Sequence, residues 1–110
     1  MIVINIKPLS VNEAWKGTRI KTDAYRKYER EVLMLLPRFD LFPSPPFKLE
    51  IHYGFSNKGS DIDNPTKMIL DILQKKYLFN DSNIYDLHLH KYIVEKGKEY
   101  TKLNISSINV

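Results

Sequence analysis

Cysteine is absent from the sequence. That absence excludes a disulfide framework, a thiolate zinc centre and thiol catalysis together. Also missing is any apolar run approaching the roughly 20 residues that cross a bilayer. The amino terminus, MIVINIKPLS, has only a short apolar stretch alternating with polar residues and no small-residue cleavage site, so it does not read as a signal peptide. No low-complexity tract and no internal repeat interrupts the chain. The expectation is a cytoplasmic enzyme or binding domain. With 110 residues, 43% apolar and 27% charged, the chain suits one domain over residues 1–110 with its own core, and is too short for two.

What the sequence does have is a modest excess of positive charge, with 17 Lys and Arg against 13 Asp and Glu, a net charge of +4. Such a balance favours a polyanionic partner. Set against it is a local acidic group in Gly59–Asp71, GSDIDNPTKMILD. A basic protein with concentrated carboxylates can hold a phosphate backbone and a metal ion in one place.

Hydrophobic periodicity gives the order βαβαββ, an α+β domain with a largely antiparallel or mixed sheet and two helices. Residues 2–7 alternate as a strand that Pro8 ends. A polar loop follows, with Gly17 as its turn residue. Thr22 then caps a helix over 23–36, whose buried face is Tyr25, Tyr28, Val32, Leu35 and Leu36. LFPSPPF at 41–47 is a stiff connector. KLEIHYGF at 48–55 alternates Leu49, Ile51, Tyr53 and Phe55 with polar residues or glycine and is the clearest strand. A second helix runs over about 65–77, with Asn64 as N-cap and Pro65 in its first position. Segments 84–95 and 99–108, joined through Lys96-Gly97-Lys98, read as a hairpin.

Asp61 and Asp63 are two apart in what reads as an extended approach, so both side chains point to one face. Such a pair suits Mg²⁺, which takes one or two protein carboxylates, keeps several waters and accepts phosphate oxygens. Lys67 falls on the solvent side of the second helix, placed to add positive charge at a phosphate. The same residues admit a plainer reading. Lys67 lies four residues after Asp63 and four before Asp71, the spacing of an ordinary helix ion-pair ladder.

The run Asp61-Ile-Asp63-Asn64-Pro-Thr-Lys67-Met-Ile-Leu-Asp71-Ile-Leu73, followed by Tyr77-Leu-Phe-Asn80-Asp81-Ser82, resembles the signature of RusA-type Holliday-junction resolvases: D-x-D-N-x-x-K-x-x-x-D-x-L, then an aspartate in a short turn. Pro8-Leu-Ser-Val-Asn12 is similar to that family's P-x-S-x-N loop, and the likeness covers most of the chain in order. The resemblance implies a small homodimeric, Mg²⁺-dependent endonuclease, with Mn²⁺ as a substitute ion. It would bind four-way DNA junctions by shape, nick two strands symmetrically in recombination and repair, and be bacterial or phage-encoded. It further implies that Asp61, Asp63 and Asp81 are metal-binding carboxylates and that Lys67 is the catalytic lysine. Asp71 becomes a supporting residue that orients Lys67, and Asn64 the cap that fixes Asp63. Asp81 would have to fold back beside the first pair, which a helix followed by an antiparallel return strand allows.

One departure concerns binding. Some members carry an arginine-rich run before the first aspartate, whereas here Asn57-Lys58-Gly59-Ser60 offers one cation. Asn12, Trp15, Lys16, Arg19, Lys21 and Lys58 are the candidate DNA contacts, with Arg26, Lys27 and Arg30 as further cations. Trp15 either stacks on an unpaired base or packs in the core. His88 and His90 point to one face of a strand; with no cysteine and no HExxH beside them, a solvent-facing or dimer-facing role is favoured over zinc. Two alternatives to the resolvase stay open: a looser nuclease of flap or branched DNA using the same site, and a non-catalytic module that binds branched DNA.

Overall fold

The longer strands and helices follow from apolar stripes seeking cover. The computed structural model describes residues 1–17 and 20–108. In order these form β1 (Ile2–Ile4), α1 (Val11–Ala14), β2 (Trp15–Lys16), β3 (Ile20–Lys21), α2 (Asp23–Leu35), β4 (Phe47–Phe55), α3 (Thr66–Tyr77), a 3-10 turn (Asp81–Asn83), β5 (Ile84–Ile93) and β6 (Tyr100–Ser107). The fold is α+β. A four-stranded mixed sheet has the order β1-β6-β4-β5, and β2 and β3 form a separate ribbon.

Strand β4 organises the sheet. Its residues Phe47, Leu49, Ile51, Tyr53 and Phe55 are buried, while Lys48, Glu50 and His52 lie on the other face. The first set meets Tyr25, Tyr28, Val32 and Leu36 at α2, and Met68, Ile69, Ile72 and Leu73 of α3; Ile4, Leu103 and Ile105 complete this core. Both helices therefore cover one side of the sheet. Thr22 caps α2 as the sequence suggests, accepting from the Tyr25 amide at 3.1 Å. Leu35 turns outward instead of inward, about half exposed, and Leu36 takes the buried place at the helix end.

The polar loop after β1 holds more structure than its composition suggests. Ser10 caps the single turn of α1, and Gly17, at φ 66°, lies between β2 and β3. The proline-rich connector is anchored by Phe42, which packs against Phe47, Tyr77 and Phe79.

The expected hairpin of the last two strands is not formed. β4 lies between them, pairing in parallel with β5 and antiparallel with β6. Chain 94–99 passes the end of β4, where the Val94 amide donates to Phe55 O at 2.7 Å and Ser56 Oγ to Glu99 Oε2 at 2.7 Å. β4 is the most buried strand, with six of its nine residues buried, and it takes the centre with neighbours on both sides; β5, whose outer face carries Asp86, His88 and His90, tolerates an edge. β4, α3 and β5 thus make a parallel crossover unit.

Candidate metal and phosphate site

After β4, residues 56–65 make a loop held from inside and outside. Asn57 Oδ1 accepts the Gly59 amide at 2.8 Å, and the Ser60 amide donates to Asn57 O at 3.1 Å. Lys91, on β5, reaches across to donate to the carbonyls of Lys58 and Ser60. Nothing in the sequence had marked Lys91, because its partners are backbone oxygens.

Asp61 and Asp63 are both exposed, but their backbone is turned rather than extended. The Asn64 amide donates to Asp61 O at 3.2 Å and the Thr66 amide to Asp63 O at 3.0 Å. The N-cap of α3 is Pro65, without a side-chain cap bond. Asn64 is therefore not the cap expected of it. Its Oδ1 instead accepts the Val11 amide at 2.9 Å, tying α1 to the aspartate turn. A cavity of about 350 Å³ opens between them, lined by Ser10, Asn12, Asn57, Ser60, Asp61 and Asn64 among others. Asn12 and Asp61, which belong to two separate sequence motifs, line one space.

Lys67 is exposed in the first turn of α3. Among the described residues it makes no salt bridge, so the ion-pair ladder with Asp63 and Asp71 is not formed. Asp71 is half-buried and does not pair with Lys67; it is close enough to Tyr25 that its charge, after burial itself, helps push that phenol upward. Beneath the turn, Tyr53 Oη and Thr66 Oγ1 share a buried hydrogen bond of 2.8 Å.

Asp81 stands elsewhere. α3 ends at Leu78 in the left-handed conformation, φ 57°. Asp81 follows in the exposed 3-10 turn, its amide donating to Gln74 Oε1 at 2.9 Å. Twelve residues of α3 span about 18 Å. Because β5 returns parallel to β4, not antiparallel, Asp81 is held at the opposite end of the sheet from Asp61 and Asp63. The expected fold-back within one chain does not occur.

The candidate DNA contacts divide. Asn12, Lys16 and Lys58 are exposed. Lys21 is engaged, 3.0 Å from Glu29 and over the Tyr25 ring. Trp15 packs edge-on to Tyr25 with ring centroids 5.3 Å apart. Arg26 pairs with Asp23, and Arg19 lies outside the described residues.

The sequence model of a family described as Endodeoxyribonuclease RusA matches residues 7–105. The chain belongs to the RusA endodeoxyribonuclease family. A comparison with curated proteins returns no match. The matched span includes the Asn12 loop, the aspartate turn, Lys67 and Asp81, so the family likeness and the geometry concern the same residues.

Proposed function

We propose that this RusA-family chain is a Mg²⁺-dependent endonuclease that resolves four-way DNA junctions by paired, symmetric nicks. The observation that carries the reading is the aspartate turn itself: two exposed carboxylates and an exposed, unpaired ammonium gathered where α3 begins. Left in solvent without partners, such groups do little for the fold. Facing a phosphodiester they have a task.

Asp61 and Asp63 offer hard oxygen donors with room for water and phosphate, the donor set Mg²⁺ requires. When bound, that ion supplies positive charge at the phosphate and acidifies water. Lys67, free of carboxylates, would place its ammonium on a non-bridging phosphate oxygen and offset the charge that develops there. Lys91 from the sheet, and the Val11 amide of α1 through Asn64, would hold the turn that presents the aspartates.

The reading includes a homodimer, which the position of Asp81 supports. β5 is an edge strand, and Tyr85, Leu87, Tyr92 and Ile93 along it are exposed. Antiparallel pairing of two β5 strands about a two-fold axis sets the start of one beside the end of the other. The partner's Asp81 would then lie at the end of the sheet where Asp61 and Asp63 stand. Two such composite sites, related by the two-fold, suit opposite strands of a junction.

The test is cleavage of a labelled four-way junction beside a flap, a splayed arm and plain duplex, with Mg²⁺ or EDTA. Paired nicks in the junction alone, dependent on metal and lost in Asp63→Asn although that variant still binds, are expected. Equal cutting of flaps would favour the looser nuclease; binding without cutting under any divalent ion would leave a DNA-binding module.

A further inference from the structure

We propose that Glu50, His52 and His90 form a second metal site, selective for Zn²⁺ or a similar transition ion over Mg²⁺. This proposal rests on the bare face of the sheet and is independent of the nuclease reading. Glu50 and His52 are two residues apart on β4 and so share that face. His90 stands directly opposite His52 in the parallel register of β4 and β5. One ligand atom from each of the three residues falls within a group no more than 4.8 Å across.

The chemistry of these donors selects the ion. Two imidazoles and a carboxylate are a zinc set that leaves a fourth position for water. Mg²⁺ prefers oxygen throughout and gains little from nitrogen. Asp61, Asp63 and Asp81 are all oxygen donors, so the two sites differ in class.

The hydrogen bond that orients a ligating histidine through its other nitrogen is already present. His52 Nε2 lies 2.8 Å from Glu50 Oε2, while Nδ1 lies 3.2 Å from the Tyr92 hydroxyl. With a metal on Nε2, the Nδ1 proton is donated to Tyr92, the arrangement that fixes the tautomer of a ligating histidine. The His52 side chain is only 17% exposed, which limits competition from water at that donor. The rings of His52 and His90 are stacked, 4.3 Å between centroids and 8° between planes. Parallel lone pairs do not converge, so binding requires the His90 ring to turn out of the stack. That is one side-chain rotation on an edge strand. The neighbouring His88 is already paired with Asp86 at 2.7 Å and is not needed.

The ion would join β4 to β5 across the sheet and fasten the edge strand. Co²⁺ is the probe, since tetrahedral coordination gives it strong visible absorption, and Mg²⁺ in excess keeps the aspartates occupied. We expect saturable cobalt bands displaced by Zn²⁺, together with a rise in melting temperature. Both should vanish in His52→Ala and in His90→Ala, or in His90→Gln should the alanine variant fail to fold. Tyr92→Phe should weaken binding about 10–100-fold. The Asp61→Asn, Asp63→Asn double variant should bind cobalt unchanged. Absence of the bands, or their persistence without His90, overturns the proposal; so does their loss in the aspartate variant.

Discussion

Tyr53 shows how much one hydroxyl can carry. Its ring is fully buried in the core, and its Oη hydrogen-bonds Thr66, the residue before Lys67. Burial pushes this phenol well above its ordinary range, so it remains neutral. Tyr53→Phe keeps the ring but leaves Thr66 Oγ1 buried without this partner. The expected cost is about 1–3 kcal/mol, read from the midpoint of urea unfolding at constant slope; an unchanged midpoint would remove Tyr53 from the support of the turn. Lys67→Ala carries no such structural cost, because the side chain is exposed and makes no salt bridge among the described residues. It should slow cleavage strongly with junction affinity nearly intact, whereas parental turnover would deny it a catalytic role. At this scale the sequence was informative about residue types and poor on local geometry. Asn64 has the composition of a cap, but its side chain is drawn to Val11, 53 positions away. No local pattern encodes a partner so distant.

Helices and strands were more legible than the way they join. The stripes of β4 and α3 could be read because alternate or three-and-four spacing mirrors a single buried face. Pairing depends on competition between strands for the central place, which periodicity does not record. Lys96-Gly97-Lys98 looks like a turn and is one, yet the strands it separates lie on either side of β4. The same blindness hid the parallel return of β5, and with it the true position of Asp81. A prediction at this scale concerns the end of α3. Leu78 is left-handed and almost fully exposed, a conformation that costs a non-glycine residue roughly 1–2 kcal/mol. Leu78→Gly should therefore stabilise the protein by about 1 kcal/mol. Thermal unfolding would detect it, and a lower melting temperature would mean that the leucine packs more than its exposure implies. Gly54→Ala should do the opposite, since an added Cβ would run into the Tyr100 ring.

For the whole molecule, Glu29 is the charge that links three pieces. Lys21, at the end of the ribbon, and Lys75, on α3, both reach its carboxylate on α2, at 3.0 and 3.2 Å. Burial alone would raise this acid, but the two lysines outweigh it and hold it below its usual 4.5. A lowered folded value means that the pair stabilises above the unfolded pKa and is lost as pH falls through the folded one. Glu29→Gln should consequently flatten the acid side of the stability profile; an identical acid slope would show the three charges to be uncoupled. The proposed dimer has a sharper test. Asp63→Asn and Asp81→Asn chains, each inactive alone, should regain cleavage when mixed, because one of the two sites in a mixed dimer is intact. Roughly a quarter of all sites would work after random exchange of a two-fold dimer, and they would nick one strand instead of two. No recovery, with exchange verified, would argue against a site shared between subunits.

The central place of β4 also sets an order of events. Among the described residues β1 pairs with β6, far along the sequence, and β4 has no strand partner until β5 and β6 exist. A chain growing from a ribosome can form α2 early, but it has no sheet to lay that helix upon until the final quarter of the sequence emerges. Such distant pairings delay folding, and until they form, the apolar face of β4 is available to any neighbouring chain. Shortening the chain through β6 should abolish folding outright, since it would strip β1 of the strand it pairs with and leave β4 half paired.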